Sequence, residues 1–267
     1  MSITAWFGIE RAPFSSDDAQ LLPQQEEILQ TLRVHSQQGG LCLILGDPGT
    51  GKTVLRNAIK SQDPKRLIAP VISRTLHSYF NTLRILCQAC EVETDRNDYH
   101  CERQLIDYAV RINREGKMLV PIVDDAHLLE VATLRKLRLL FEEFPKNHNL
   151  VLIGQTPLLT SLQLSVNADI KSRLTYSVIM PKLNPDQVRQ FILDQLDRVR
   201  LGHNAFSDDA LELIVRSSEG VLRRARNLCL GALVEAVATK TRTVDLKQVN
   251  AVLVQPHWRA NHDVDHD

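Results

Sequence analysis

The sequence predicts an α/β protein: a parallel sheet covered by helices on both faces, of the phosphate-loop nucleotide-binding type, followed by a small all-α lid bundle. Three observations carry this. Gly46-Asp47-Pro48-Gly49-Thr50-Gly51-Lys52-Thr53 has the spacing of a phosphate cradle, a glycine, four residues, then Gly-Lys-Thr. Apolar runs of strand length alternate with helical patterns from Leu21 to Met180. Beyond Pro181 the strand-like runs stop and only helical patterns remain.

The cradle has the flanks it needs. Leu41 to Leu45 reads as a buried strand, and Thr53 to Lys60 as a helix start with apolar Val54, Leu55, Ala58 and Ile59. Gly46, Gly49 and Gly51 let the backbone bend so that successive N–H groups and the helix N-terminus face one anion. Lys52 would then reach the β- and γ-phosphates of ATP, and Thr53 would offer its hydroxyl to Mg²⁺. Asp47, Pro48, Thr50 and Val54 complete the nucleotide-binding stretch.

Composition bounds the rest. A chain of 267 residues with 43% hydrophobic and 24% charged content is sized either for one α/β domain or for an α/β domain with a smaller one attached. With 32 basic and 32 acidic residues the net charge is zero, so nucleic-acid binding would have to come from a local patch or from many aligned subunits. No apolar stretch approaches the roughly 18 to 20 residues of a membrane span, and the N-terminus lacks a signal pattern; a cytoplasmic protein without membrane contact is expected. Five cysteines without export features argue against structural disulfides. Cys87, Cys90, His100 and Cys101 leave two readings, a zinc site or buried apolar residues, and the irregular spacing favours the second.

Taken in order, residues 1–19 contain Trp6, Phe7, Pro13 and Phe14, too aromatic for a disordered tail and too broken for a helix, and read as an extended arm on the core. Residues 20–181 form the α/β domain. A helix runs from Leu21 to about Gln37, stopped by Gly39-Gly40. Strands are expected at 66–73, 118–123, 150–153 and 175–180, and helices at about 76–90, 101–115 and 128–144. Residues 182–255 form the lid: Asn184-Pro185-Asp186 and Ser207-Asp208-Asp209 open helices to about residues 200 and 217, and two more cover 221–239 and 245–254. Residues 256–267 read as a loose polar tail.

Four further positions carry chemistry. Asp124 closes the strand Leu119 to Val123, the place for a carboxylate that orients Mg²⁺ through water. Asp125 would polarise the attacking water, share the metal or face solvent. Gln155 and Thr156, after the 150–153 strand, are each placed to sense the γ-phosphate. Arg173 is either an arginine finger for a neighbouring subunit's nucleotide or a surface salt-bridge partner. Arg223, Arg224 and Arg226 open a lid helix; Arg223 would contact the γ-phosphate, or the three form a solvated basic face.

Together these residues resemble the AAA+ ATPases of the ExeA-like family, which includes secretion-associated ATPases and, more distantly, transposition-regulator ATPases. The resemblance covers about residues 5–254. It is carried by Trp6-Phe7-Gly8-Ile9, the phosphate loop, Asp124 to Leu129, Leu152-Ile153-Gly154-Gln155 and Arg223 to Leu230. It implies that Asp124 is the Mg²⁺ acid, Gln155 the first sensor, Arg173 the finger and Arg223 the second sensor, with Phe7 to Ile9 flanking the adenine. Two departures stand out: Asp125 where relatives have Glu, which implies slow hydrolysis, and Leu222 where they have Pro. Secretion-type relatives continue into a membrane span and a cell-wall-binding domain; a chain ending near residue 267 resembles the transposition regulators more.

In that reading ATP closes subunits into a ring or filament on duplex DNA, with nearly sequence-independent phosphate contacts, and licenses a transposase. Arg74, Thr75, His77 and Arg84 are the candidate DNA contacts. Two competing readings are a secretion or pilus-assembly ATPase acting on proteins, and a slow nucleotide switch without DNA.

Overall fold

The computed structural model describes residues 2–14, 20–73, 78–94 and 97–258. They fall into two compact units, Gln20–Asp47 with Lys52–Met180, and Met1–Ala19 with Pro48–Gly51 and Pro181–Asp267. The first helix, α1 (Ile3–Phe7), belongs to the second unit.

The larger unit is built on a five-stranded parallel sheet. Its elements run α2 (Pro23–Ser36), β1 (Gly40–Leu45), α3 (Lys52–Ser61), β2 (Leu67–Ile68), β3 (Val71–Ile72), α4 (Tyr79–Ala89), α5 (Asp98–Arg114), β4 (Met118–Leu119), β5 (Ile122–Val123), α6 (Val131–Glu142), β6 (Asn149–Gly154), α7 (Pro157–Gln163), α8 (Ala168–Lys171) and β7 (Leu174–Ile179). The strand order is β3-β5-β6-β1-β7, and β2 pairs separately with β4. Register is fixed through the middle by Leu43 opposite Leu152 and Leu45 opposite Gly154.

Side chains alternate along each strand, and here both faces are covered. Leu41, Leu43, Leu45, Leu152 and Val123 pack with Leu83, Leu86, Leu105 and Leu137 of α4, α5 and α6. Cys42, Ile44, Val151, Ile153 and Ile122 pack on the opposite face with Ile28 and Leu32 of α2 and Leu55 and Ile59 of α3. Each fully buried Leu or Ile contributes about 1.5–3 kcal/mol relative to exposure. The helices on both faces therefore hold β1 and β5, and the loops that follow them, at one edge of the sheet.

Several boundaries differ from the sequence reading. The strands expected at 66–73 and 118–123 are each split by a proline, Pro70 and Pro121, because each removes one ladder donor. Their mutual register is unbroken: the N–H groups of Met118, Val120, Ile122 and Asp124 donate in turn to the carbonyls of Arg66, Ile68, Pro70 and Ile72 at 2.8–2.9 Å. The helix expected from residue 128 starts only at Val131. A 3₁₀ turn, Ala126–Leu128, precedes it, closed by the Leu128 N–H on the Asp125 carbonyl (2.9 Å), and buried Leu129 then runs extended. The short helices α7 and α8 were not expected.

The smaller unit holds α9 (Pro185–Arg198), α10 (Asp208–Ser218), α11 (Leu222–Ala238) and α12 (Leu246–Leu253). Asn184 and Gln187 cap α9 reciprocally (2.8 and 3.0 Å), and the Ser207 hydroxyl caps α10. Buried Ile192, Leu196, Leu211, Ile214, Leu228, Leu233, Val249 and Val252 form its core.

The arm, expected to be extended, opens with a helix over Ile3–Phe7. Ser2 caps α1 through the Ala5 N–H (3.2 Å), and Gly8, in the left-handed region, ends it. Local capping thus outweighs the lack of helical periodicity. Trp6 Nε1 donates to the Thr241 carbonyl (2.8 Å), and the Arg242 guanidinium lies 4.8 Å over the indole while donating to the Trp6 carbonyl.

Among the described residues no helix is long and apolar enough to cross a membrane, and no group of three or more His, Cys, Asp and Glu could hold a metal ion. Cys87, Cys90 and Cys101 are free and buried, whereas His100 is exposed. Burial pushes the Cys87 and Cys90 thiols up to about 12.

Candidate nucleotide-binding site

β1 delivers the chain to the cradle, where the Gly46 N–H donates to the carbonyl of Gly154 at the end of β6 (3.2 Å). The loop turns through Gly49 (φ 88°) and Gly51 (φ 95°), conformations that side-chain-bearing residues rarely adopt. α3 starts at Lys52, so its first N–H groups, which lack partners within the helix, lie beside the loop. Lys52 Nζ donates to the carbonyls of Gly46 (2.7 Å) and Asp47 (2.9 Å), and Thr53 is exposed in the first turn.

Asp124 follows β5, anchored by its N–H on the Ile72 carbonyl (2.9 Å). Its Oδ1 accepts the Asp125 N–H (3.0 Å), and its Oδ2 accepts Arg56 Nη1 at 2.6 Å. The Arg56 and Asp124 side chains are only 20% and 14% exposed. Arg56 Nε and Nη2 both donate to Asn57 Oδ1 (3.2 and 3.0 Å), which fixes the guanidinium. The sequence reading missed Arg56. Its signal was the spacing: four residues after Lys52 and three after Thr53 puts all three on one helical face.

Asp125 is exposed and takes a left-handed backbone (φ 51°, ψ 35°). That conformation turns the chain from β5 into the 3₁₀ segment. Gln155 and Thr156 follow β6 and are half-buried. Because β6 lies between β1 and β5, the strand order sets these two residues between the loop and the acid pair.

Arg173 precedes β7 and is 62% exposed, with Nε 2.9 Å from Glu142 Oε1. Glu142 also pairs with Arg138 (2.8 Å), and Arg138 and Arg135 approach Asp169 at 3.8 and 2.7 Å. An exposed pair of this kind contributes little to stability and is easily exchanged.

In the smaller unit, Arg223 stands in the first turn of α11 with an exposed side chain. Its N–H donates to the carbonyl of Gly49 (3.2 Å), and a Cβ on Gly49 would come within 2.6 Å of the Arg223 Cβ. Arg224 pairs with Glu219 (2.8 Å). Ile9 is buried and Phe7 half-buried. Of the DNA candidates, Arg74, Thr75 and His77 lie outside the described residues; Arg84 is exposed, its guanidinium 5.6 Å over the Phe80 ring.

The donor set suits a magnesium nucleotide. Helix amides and an ammonium match phosphate oxygens, and a hydroxyl with a carboxylate gives the hard oxygen ligands that Mg²⁺ prefers.

A parallel sheet with this loop after β1, an acid after β5 and a helical unit beyond is the phosphate-loop fold of the AAA+ type, and residues 34–163 match the AAA domain family. The chain is also similar to general secretion pathway protein A of Aeromonas hydrophila, 28% identical over 246 residues, 88% of this chain and 45% of that relative. The chain thus spans about half of the relative's length. Among solved structures, the ORC2 protein of Aeropyrum pernix has TM-score 0.70 and 16% identity, with 91% of this chain and 72% of the other covered. Drosophila ORC bound to DNA has TM-score 0.69 and 18% identity, covering 94% and 64%. These likenesses at low identity establish the fold.

Proposed function

We propose that this chain binds and hydrolyses ATP, and that its ATP-bound form assembles with further copies into a ring or filament on duplex DNA to regulate a transposase or its choice of target. The carrying observation is the cradle itself: Lys52 and the first turn of α3 at the end of β1, with Asp124 at the end of β5, two strands away in the same sheet. Lys52 and the loop amides of Gly46 to Thr53 bind the phosphates, while Val54, Phe7 and Ile9 line the nucleotide's surroundings. Thr53 and Asp124 hold Mg²⁺, which when bound neutralises charge on the terminal phosphates. Asp125 polarises the attacking water, Gln155 reads the γ-phosphate, Arg223 contacts it from the lid, and Arg173 reaches a neighbouring subunit's nucleotide.

The DNA-bound ORC relative supports a nucleic-acid partner for this fold. With zero net charge on the chain, DNA affinity would arise from many aligned subunits. The test is ATP hydrolysis by the purified chain with and without duplex DNA, at low and moderate salt, beside Lys52→Ala. Salt-sensitive stimulation that the variant lacks is expected; ATP binding with turnover indifferent to DNA would overturn the DNA assignment.

The likeness to a secretion protein favours a second reading, an ATPase acting on protein partners. Exposed Leu139, Leu164 and Val166 on the larger unit would then serve as the docking residues.

A further inference from the structure

We propose that Arg56 is a positioning residue that withholds the Asp124 carboxylate from metal until nucleotide is bound, so that Mg²⁺ enters with ATP and not before it. The inference rests on the reading of Asp124 as the Mg²⁺ acid.

Both oxygens of Asp124 are engaged: Oδ1 by the Asp125 N–H and Oδ2 by Arg56 Nη1 at 2.6 Å. The pair is mostly shielded from solvent, with 20% and 14% of the two side chains exposed. A charge pair at that depth is stronger than a surface pair, and removing either member leaves the other poorly solvated. Arg56 is also pre-aimed. Asn57 Oδ1 takes the Nε and Nη2 donors, which leaves Nη1 directed at the carboxylate.

Arg56 shares a helical face with Lys52 and Thr53, so a divalent cation at Asp124 and Thr53 would meet two fixed positive charges. Lys52 is meanwhile folded onto the Gly46 and Asp47 carbonyls. Triphosphate draws the Lys52 ammonium to its own oxygens and adds negative charge beside Arg56. The guanidinium then has a second acceptor, and Oδ2 is released. Metal and nucleotide binding are coupled in consequence, each strengthening the other by the same factor.

The experiment titrates Mg²⁺ alone into the nucleotide-free full chain by calorimetry, then measures binding of a fluorescent ATP analogue as a function of Mg²⁺. Wild type is compared with Arg56→Gln, Arg56→Lys and Asp124→Asn, each checked for its thermal midpoint. Arg56→Gln is expected to take up Mg²⁺ without nucleotide roughly tenfold more tightly, and the coupling to shrink by that factor. Arg56→Lys, which keeps the charge, should stay close to wild type and serves in its own right if the Gln variant does not fold: in that case its coupling must stay within about twofold of wild type, and a larger loss refutes the charge-based mechanism. Equal or weaker Mg²⁺ uptake by Arg56→Gln, with Mg²⁺ dependence abolished in Asp124→Asn, would overturn the role of Arg56 alone. Unchanged Mg²⁺ dependence in Asp124→Asn would overturn the assignment of Asp124, and the proposal with it.

Discussion

The Lys52 ammonium lies 2.7 Å from the Gly46 carbonyl, folded back onto the end of β1. A triphosphate must draw the ammonium from that carbonyl, and the charged hydrogen bonds it forms instead exceed the neutral-acceptor bonds it gives up. Lys52→Ala should therefore weaken ATP binding by roughly 30-fold or more, at 2–3 kcal/mol for the lost contacts. Fluorescent-nucleotide titration checks this. The fold should persist, since Lys52 is only half-buried at the start of α3.

Asp125 carries the expectation of slow turnover. If its carboxylate polarises the attacking water, Asp125→Glu extends it by one methylene and should raise hydrolysis about tenfold, whereas Asp125→Ala should lower it by about 100-fold. Steady-state phosphate release measures both. Equal rates in all three proteins would remove Asp125 from the mechanism.

Arg173 pairs with Glu142 at a largely exposed position. Arg173→Ala should leave the thermal midpoint and ATP affinity of the chain nearly unchanged while reducing hydrolysis about 1,000-fold under assembling conditions, the scale of an arginine finger. Mixing it with Lys52→Ala should restore activity, since each variant supplies what the other lacks. Without rescue, Arg173 does not act between subunits.

His148 is 5% exposed at the entry to β6. Burial holds its imidazole below the ordinary 6.5, outweighing the opposing pull of the Ala109 and Pro145 backbone. The folded chain thus favours the neutral ring. The unfolded chain binds the extra proton first as pH falls through 6.5, so this contribution to stability is present above that pH and lost below it. Between pH 7.5 and 5.5 the thermal midpoint of wild type should fall further than that of His148→Gln, by about 2 °C or more. Differential scanning calorimetry decides it.

The phosphate cradle was legible because its chemistry is local: eight contiguous residues between an apolar strand and a helix. The place of Asp124 after β5 was legible for the same reason, as an acid ending an apolar run. The Arg56–Asp124 pair was not, since it joins positions 68 residues apart. Their meeting depends on strand order and on the packing of α3, neither of which is encoded at either residue. The helices of the smaller unit were marked by strong caps such as Asn184 and Ser207. The arm helix, held by Ser2 and Gly8 over five residues, and α7 and α8 are too short for periodicity to register.

ATP-dependent assembly on DNA is tested by sedimentation velocity of the chain with a fluorescent DNA duplex, in the presence of ATP, of ADP and of no nucleotide. Labelled DNA is expected to shift into large, multi-subunit species with ATP alone, and Lys52→Ala to leave it unshifted. DNA sedimenting as free duplex in all three conditions, with the ATP affinity of the chain intact, would contradict that assembly.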